Sequence, residues 1–377
     1  MLKIIKNCRL FNSPHEFVHI VLEDDKIKDI TPFLPKEGSL LLDAKGDIVA
    51  PGLIDIHIHG AGGANPAHAA PDSMDIMSES LCKMGTTSFL PTAFYEKGGA
   101  NTHLSFIANH HSTENQADNL GLHLEGPFIN PLKKGGIPIE CTAKVSKATL
   151  KHLLAVTKNR LKMLTIAPEL PGIEHIIHVA KEQGFISSLG HTDTASIDAQ
   201  KGIEKGISCI THLHNAMRKY NRDKDHPLEA ILNSDCFAQI IPDGKHLKAE
   251  EIKYFYEHFT AHRLICITDG IDAMGLPDGE YNFAGKKYRS EKGLAFYSDG
   301  SGMIGTTLSL FNIMLKFKDF SDSSLEEAIC TATENPARCL KIDDHKGFIK
   351  AGYDADLIII NKDEKLKHVI KAAKLVF

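Results

Sequence analysis

His57-Ile-His59 places two imidazoles two residues apart in an apolar run, so on a β-strand both rings leave from one face, as a shared metal ion requires. Glu125 stands in Gly121-Leu-His-Leu-Glu-Gly-Pro-Phe, where alternation puts His123 and Glu125 on the face opposite Leu122 and Leu124. A carboxylate buried at a strand end is costly without a cation, so Glu125 needs a metal ion or an ordinary salt bridge to Lys133 or Lys134. His191 closes the run that starts at Phe185, and His212 lies in Thr211-His-Leu-His-Asn-Ala-Met. Either alone reads as a buried, hydrogen-bonded histidine; beside the pair and the carboxylate they complete four imidazoles and one carboxylate. That set suits one or two divalent ions, with zinc, iron and manganese all compatible. His123 reads as a core histidine or as one that orients a ligand from behind. Asp269 follows Arg263-Leu-Ile-Cys-Ile-Thr, where a carboxylate can take a proton from activated water and return it to a leaving group, or ligate a metal itself.

These residues need a scaffold that brings distant segments to one end. From Ile48 onward apolar strand-like runs alternate with amphipathic ones, and strand candidates end near Ile58, Leu90, Leu124, Ile166, Leu189, Ile210, Ile241 and Thr268. Helix-like segments fall between them, at 72–84, 147–157, 173–183, 195–205 and 248–258. Eight strands alternating with helices predict a (β/α)8 TIM-type barrel over residues 51–349, an α/β fold whose chemistry sits beyond the strand C-termini. The polar residues above fall at those ends. Residues 1–50 show only short β-like segments (2–5, 18–22, 26–30, 40–43), as does the chain end (356–360, 368–377). Residues 1–50 and 350–377 are therefore expected to form one small β-sandwich-like domain built from both termini.

The chain has 377 residues, room for a barrel of about 250 residues and a small companion. Hydrophobic residues make up 42% and charged residues 24%, which excludes a disordered or coiled-coil chain. Lys plus Arg number 43 and Asp plus Glu 48, so the net charge of -5 offers no bulk attraction to nucleic acid or to an anionic membrane. The 21 histidines, in a chain without tryptophan, call for a metal or proton-transfer role. Eight cysteines without CxxC spacing, several in apolar runs, predict free thiols in a reducing compartment. The N-terminus alternates charge and hydrophobe, so a cytoplasmic protein is expected. No GxxxxGK loop, dinucleotide fingerprint or nucleophile elbow occurs. The glycine cluster in Ser298-Asp-Gly-Ser-Gly reads as a rim loop or a hairpin turn.

Taken in order, Pro51-Gly-Leu-Ile-Asp-Ile-His-Ile-His-Gly, Gly121-Leu-His-Leu-Glu-Gly-Pro-Phe, Leu164-Thr-Ile-Ala-Pro-Glu, Gly190-His-Thr, Thr211-His-Leu-His-Asn-Ala-Met, Pro242-Asp-Gly-Lys-His and Ile267-Thr-Asp resemble the motifs of the N-acetylglucosamine-6-phosphate deacetylases. That family is a branch of the amidohydrolase superfamily. The resemblance continues through Asn335-Pro-Ala-Arg and Lys346-Gly-Phe-Ile-Lys-Ala-Gly-Tyr-Asp-Ala-Asp-Leu, over nearly the whole chain. It implies that Glu125, His191 and His212 hold the principal metal, that His57 and His59 with Glu125 hold a second, and that Asp269 is the catalytic acid and base. It also implies substrate contacts from Asn215 and Ala216, phosphate-side contacts from His246 and Arg222, and a lining loop over Met303 to Gly305. A homodimer is implied as well.

Two departures stand out. Matching Arg222 needs a one-residue shift, because Asn221-Arg-Asp-Lys-Asp-His-Pro does not keep the family's Arg-Glu-Pro-Gly. After Lys133-Lys-Gly-Gly the family commonly has His or Gln to hold the sugar amide, and this chain has Ile137-Pro. That removes one donor to the acetamide oxygen and implies weaker carbonyl polarisation or a different amide, with His214 as the candidate to compensate.

The expected reaction is metal-dependent hydrolysis of the acetamide of N-acetylglucosamine 6-phosphate or a close N-acetylhexosamine phosphate, with the amino sugar phosphate as its small-molecule partner. The alternative is another amidohydrolase acting on an N-acyl amino acid, a cyclic amide or a differently acylated amino sugar, since barrel and ligands would be identical. A silent metal-binding protein is the remaining rival, against which the full ligand set and Asp269 argue.

Overall fold

The structure, a computed structural model, describes residues 1–219, 225–283, 286–300 and 302–377. Eight parallel strands form the barrel: β1 (Leu53–Ile58), β2 (Thr86–Ala93), β3 (Leu122–Glu125), β4 (Leu161–Ile166), β5 (Ile186–Leu189), β6 (Cys209–Ile210), β7 (Phe237–Ile240) and β8 (Leu264–Cys266). Each pairs with the next in chain order. Every residue of β1 and β2 is buried, as expected of strands covered by side chains inside the barrel and by helices outside it.

The seam between β8 and β1 is closed just beyond the strand ends. Asp269 N–H donates to His57 O at 3.0 Å, and His59 N–H to Gly270 O at 2.8 Å. Asp55 sits at the same seam, fully buried, accepting from Thr268 Oγ1 at 2.6 Å; burial pushes its pKa up to about 6. Metal-ligand candidates on β1 and the carboxylate after β8 are thus neighbours by backbone pairing.

The five helices expected from periodicity are present within two residues of their expected ends. In Ile173–Gln183, Ile176, Ile177 and Ala180 repeat at helical spacing against the barrel, and Gly184, at φ +78°, ends the helix. Besides Thr102–Asn109 and Leu228–Leu232, three further helices that the periodicity does not single out, Leu310–Ser321, Leu325–Ala332 and Glu334–Leu340, complete the outer ring. The second carries a capping box, Ser324 with Glu327, a start signal legible in the chain.

The strands Leu2–Leu10, Ser13–Glu23, Lys26–Thr31, Ser39–Asp43 and Ile48–Pro51 join Leu357–Ile360, Leu366–Lys371 and Lys374–Leu375 in one sheet. It has its own core, including Ile5, Ile20, Leu22, Leu357 and Ile370. Asp356 and Asp118 bind it to the barrel: Lys346 Nζ lies 2.7 Å from Asp118 and 2.9 Å from Asp356, and Lys371 Nζ 2.9 and 3.0 Å from the same pair.

A four-stranded antiparallel sheet (Gly279–Phe283, Lys286–Glu291, Leu294–Tyr297, Met303–Thr306) follows β8, where the sequence suggests no more than a hairpin turn. Its core is Ile271, Ala273, Phe283, Tyr288 and Ala295. Residues 298–300 are the turn between its last two strands. No helix among the described residues is long and apolar enough to cross a membrane.

Candidate metal and catalytic site

Six expected side chains converge at the C-terminal mouth of the barrel. Glu125 is central. Its Oε1 lies 2.9 Å from His191 Nε2 and 2.9 Å from His212 Nε2, and those two nitrogens are 3.0 Å apart. On the other side, His57 Nε2 is 3.5 Å from Glu125 Oε1 and His59 Nε2 is 3.4 Å from Oε2. Asp269 Oδ1 faces the same pair, 3.5 Å from His57 Nε2 and 3.3 Å from His59 Nε2. The salt bridge of Glu125 to Lys133 or Lys134 does not form: Lys133 pairs with Asp193 at 3.1 Å, and Lys134 Nζ donates to Ile137 O.

Backbone geometry aims three of these groups. His191, His212 and Asp269 have φ of +49°, +27° and +47°, in the left-handed region that non-glycine residues seldom occupy. Each such residue costs on the order of 1–3 kcal/mol, so the surrounding structure must hold it. Around His191 that support is explicit. Asn130 N–H donates to His191 O at 2.9 Å, and Glu169 accepts from the Asn130 side chain (2.9 Å), Thr192 Oγ1 (2.5 Å) and Asp193 N–H (2.8 Å).

The far ring nitrogens of His57 and His191 are fixed too. His57 Nδ1 lies 3.2 Å from Gln239 Oε1, and His191 Nδ1 2.8 Å from Lys133 O. These partners fix the orientation of both rings and turn Nε2 toward the carboxylates. His123 is no ligand: its nitrogens meet Ile56 O (3.1 Å) and Thr165 Oγ1 (2.8 Å), and its ring packs edge-on against His57.

Burial opposes ionisation of Glu125, but the His57 and His191 imidazoles outweigh it and hold its pKa well below the ordinary value. Asp269 follows the same pattern: burial raises, His57 and His59 lower, and the net direction is down. Burial lowers the pKa of His59, yet its bonds to Asp269 and Glu125 raise it to about 10. Asp269 is the most exposed of the six side chains, at 17% against 0–7%, so it is the group that can exchange a proton with the cavity.

The cluster fits a metal on its own terms. Three donor atoms spaced 2.9–3.0 Å in a triangle cannot all be satisfied by one shared proton, whereas donors about 2.0–2.2 Å from one ion and at near-right angles to each other would stand about that far apart. His57 Nε2 is buried with no hydrogen-bond partner among the described residues, which suits a ligand of a second ion. The trio His57, His59 and Glu125 and the trio Glu125, His191 and His212 each bring their donor atoms within 4.8 Å of one another. A third trio, Asp118, Asp354 and Asp356, is already neutralised by Lys26, Lys346 and Lys371.

A cavity of about 230 Å³ opens over this cluster. Asn215, Ala216, His246 and Met303 line it as expected, His246 being held by Asp243 at 2.6 Å from its Nδ1. Gly305 does not line it. At φ +150°, a Cβ there would stand 2.5 Å from Asp269 O, so the glycine permits the inserted sheet to back against Asp269. His214 does not compensate for Ile137: its Nδ1 pairs with Glu251 at 3.1 Å and it is absent from the cavity lining, whereas Ile137 is on it. Arg222 lies outside the described residues.

Sequence reasoning misses Gln239, Glu169, Phe94, Phe283 and Tyr297. Gln239, a buried polar residue in an apolar strand, carries a signal, and so does Glu169 in Ala167-Pro-Glu. Phe283 and Tyr297 reach the cavity on the inserted sheet and carry none.

A model of the amidohydrolase family matches residues 48–376. The chain is 33% identical to the N-acetylglucosamine-6-phosphate deacetylase of Bacillus subtilis (strain 168), over 92% of this chain and 89% of the relative. It is 29% identical to that of Lysinibacillus sphaericus, over 99% and 97%. Its fold is similar to the crystal structure of N-acetylglucosamine-6-phosphate deacetylase from Pasteurella multocida, with a TM-score of 0.90 at 27% identity, covering 100% of this chain and 99% of that one. Matched from the strand Ile48–Pro51 to the last sheet strand by that family's model, and along most of its length by a relative at 33% identity, the chain belongs to the amidohydrolase family.

Proposed function

We propose that this protein hydrolyses the acetamide of N-acetylglucosamine 6-phosphate, or of a close N-acetylhexosamine phosphate, to the amino sugar phosphate and acetate. The observation that carries the reading is the convergence of four imidazoles and Glu125 on the partly exposed Asp269 at the floor of a substrate-sized cavity. The names of the relatives support the choice of amide.

Glu125, His191 and His212 would hold the principal divalent ion, and His57 and His59 with Glu125 a second. Ions held there supply Lewis acidity and make water a usable nucleophile near neutral pH; zinc, iron and manganese all suit these ligands. Asp269 takes the proton that leaves water as the new C–O bond forms. It then delivers that proton to the amide nitrogen as the C–N bond breaks, because an unprotonated amide nitrogen leaves poorly. Asn215, Ala216 and Met303 orient the sugar, and His246 with Arg222 takes the phosphate. The inserted sheet covers the cavity and limits water.

The remaining assignments complete the reading. Residues 1–50 with 350–377 are a supporting domain and 51–349 the catalytic one. The protein works as a homodimer in the cytoplasm, which sedimentation and fractionation check.

The deciding experiment measures amine release from N-acetyl amino sugars with and without 6-phosphate, and from N-acetyl amino acids. The phosphorylated sugar is expected to lead, and H246A or R222A to erode that lead by roughly one to two decades. Equal rates with and without phosphate, alongside rapid turnover of N-acetyl amino acids, would replace this substrate with another amide.

A further inference from the structure

The position of Ile137 and the shape of the space beside it specify more than the reaction. In a barrel whose strands follow chain order, the loops after β2 and β3 stand across the mouth from those after β6 and β7. Phe94 and Ile137 belong to the first pair of loops, Asn215 and His246 to the second, and all four line the cavity. A substrate with its phosphate toward His246 and its carbonyl carbon at Asp269 therefore directs the far side of the amide, the acyl group, at Phe94 and Ile137.

That wall is apolar. Phe94 packs on the His59 ring at 5.1 Å between centroids, and Ile137 clusters with Ile129 and Cys141. It is also shared. Phe94, Gly136, Phe283 and Tyr297 line both the 230 Å³ cavity and a second one of about 670 Å³. Ala67, Pro138, Ile139 and Cys141 add apolar lining there, alongside polar and charged side chains that include Asn65, Glu96, His103, Lys134 and the exposed Glu140 and Lys286. Gly136, exposed and on the lining of both cavities, leaves open space beside it: a Cβ built on it meets nothing within 4 Å.

We propose that Phe94, Ile137, Phe283 and Tyr297 form an acyl site that opens past Gly136 into the second cavity and accepts N-acyl groups longer than acetyl. The inference rests on the proposed hydrolysis of an N-acyl amino sugar phosphate and names its acyl range. Each added methylene leaves water for an apolar surface, so longer chains lose nothing by entering. The bonds made and broken are those of acetamide hydrolysis, with a longer carboxylic acid in place of acetic acid.

The test is amine release from N-acetyl, N-propionyl, N-butyryl and N-hexanoyl glucosamine 6-phosphate by the metal-loaded protein. The expected kcat/KM stays within about threefold of the acetyl value or rises along the series, whereas a pocket closed around acetyl rejects an extra methylene by about tenfold or more. Gly136→Leu, which fills the opening, is expected to lower the hexanoyl-to-acetyl ratio by about tenfold. A tenfold fall already at propionyl, or an unchanged ratio in G136L, overturns the proposal and leaves deacetylation standing. Failure to hydrolyse every member, acetyl included, overturns both.

Discussion

His191 Nε2 and His212 Nε2 lie 3.0 Å apart, each 2.9 Å from the same oxygen of Glu125. Two imidazole nitrogens that close repel unless something positive lies between them, and the His191 backbone is held in the left-handed region to keep them there. Chelation is therefore expected to lower the thermal midpoint and re-addition of metal to restore it; an ion present at a hundred times its Kd stabilises by about 2.7 kcal/mol. His57→Ala should bind less metal per chain than the unaltered protein, and equal metal content with equal activity would remove the β1 pair from the site.

Asp269→Asn should keep fold and metal yet lose about 100-fold or more in turnover, since an amide cannot carry the proton between water and nitrogen. Metal analysis alongside steady-state rates checks this. Near-normal turnover would move the proton transfers to another group.

Glu169 touches no ligand, but it gathers Asn130, Thr192 and Asp193 around the strained His191. Glu169→Ala should weaken metal binding by about 10- to 100-fold, the usual cost of losing a group that orients a ligand. Metal titration measures it, and Glu169→Gln, which keeps an acceptor oxygen, should recover part of the loss. Unaltered affinity in both variants would reduce Glu169 to a packing role.

The Asp356 contacts make part of the stability depend on pH. Burial raises the carboxyl's pKa, but Lys346 and Lys371 outweigh it and hold it below the ordinary value; burial lowers both lysines, and Asp356 and Asp118 more than reverse this. The depressed carboxyl contributes stability above about pH 3.9, its unfolded value, and loses it as pH falls through the folded value. The raised lysines contribute fully below about pH 10.4 and lose it as pH rises through their folded values. Asp356→Asn should cost about 3 kcal/mol at neutral pH, the low end for a broken buried pair because Asp118 remains. Thermal melts across pH should show the gap between variant and parent narrowing below about pH 4. A constant gap would mean that the network is not what titrates.

The barrel, its eight strands and six of the candidate site residues are legible in the chain because those residues lie in or at the end of apolar runs. Along a strand the side chains alternate with a period of two, so His57 with His59, and His123 with Glu125, announce a shared inward face by their spacing alone. The sheet over residues 279–306 carries no such signal, since a small antiparallel insertion draws on one thin face for its core and the rest of its pattern is free. What tertiary structure alone decided is which residues meet across the mouth. Gly305 backs Asp269 instead of touching the cavity, His214 turns away to Glu251, and Phe283 and Tyr297 arrive from the insertion. Local sequence sets the direction in which a strand points a side chain. Loop backbones after the strands, including the left-handed turns at His191, His212 and Asp269, set where that side chain ends up, and those conformations persist only because distant partners such as Glu169 hold them.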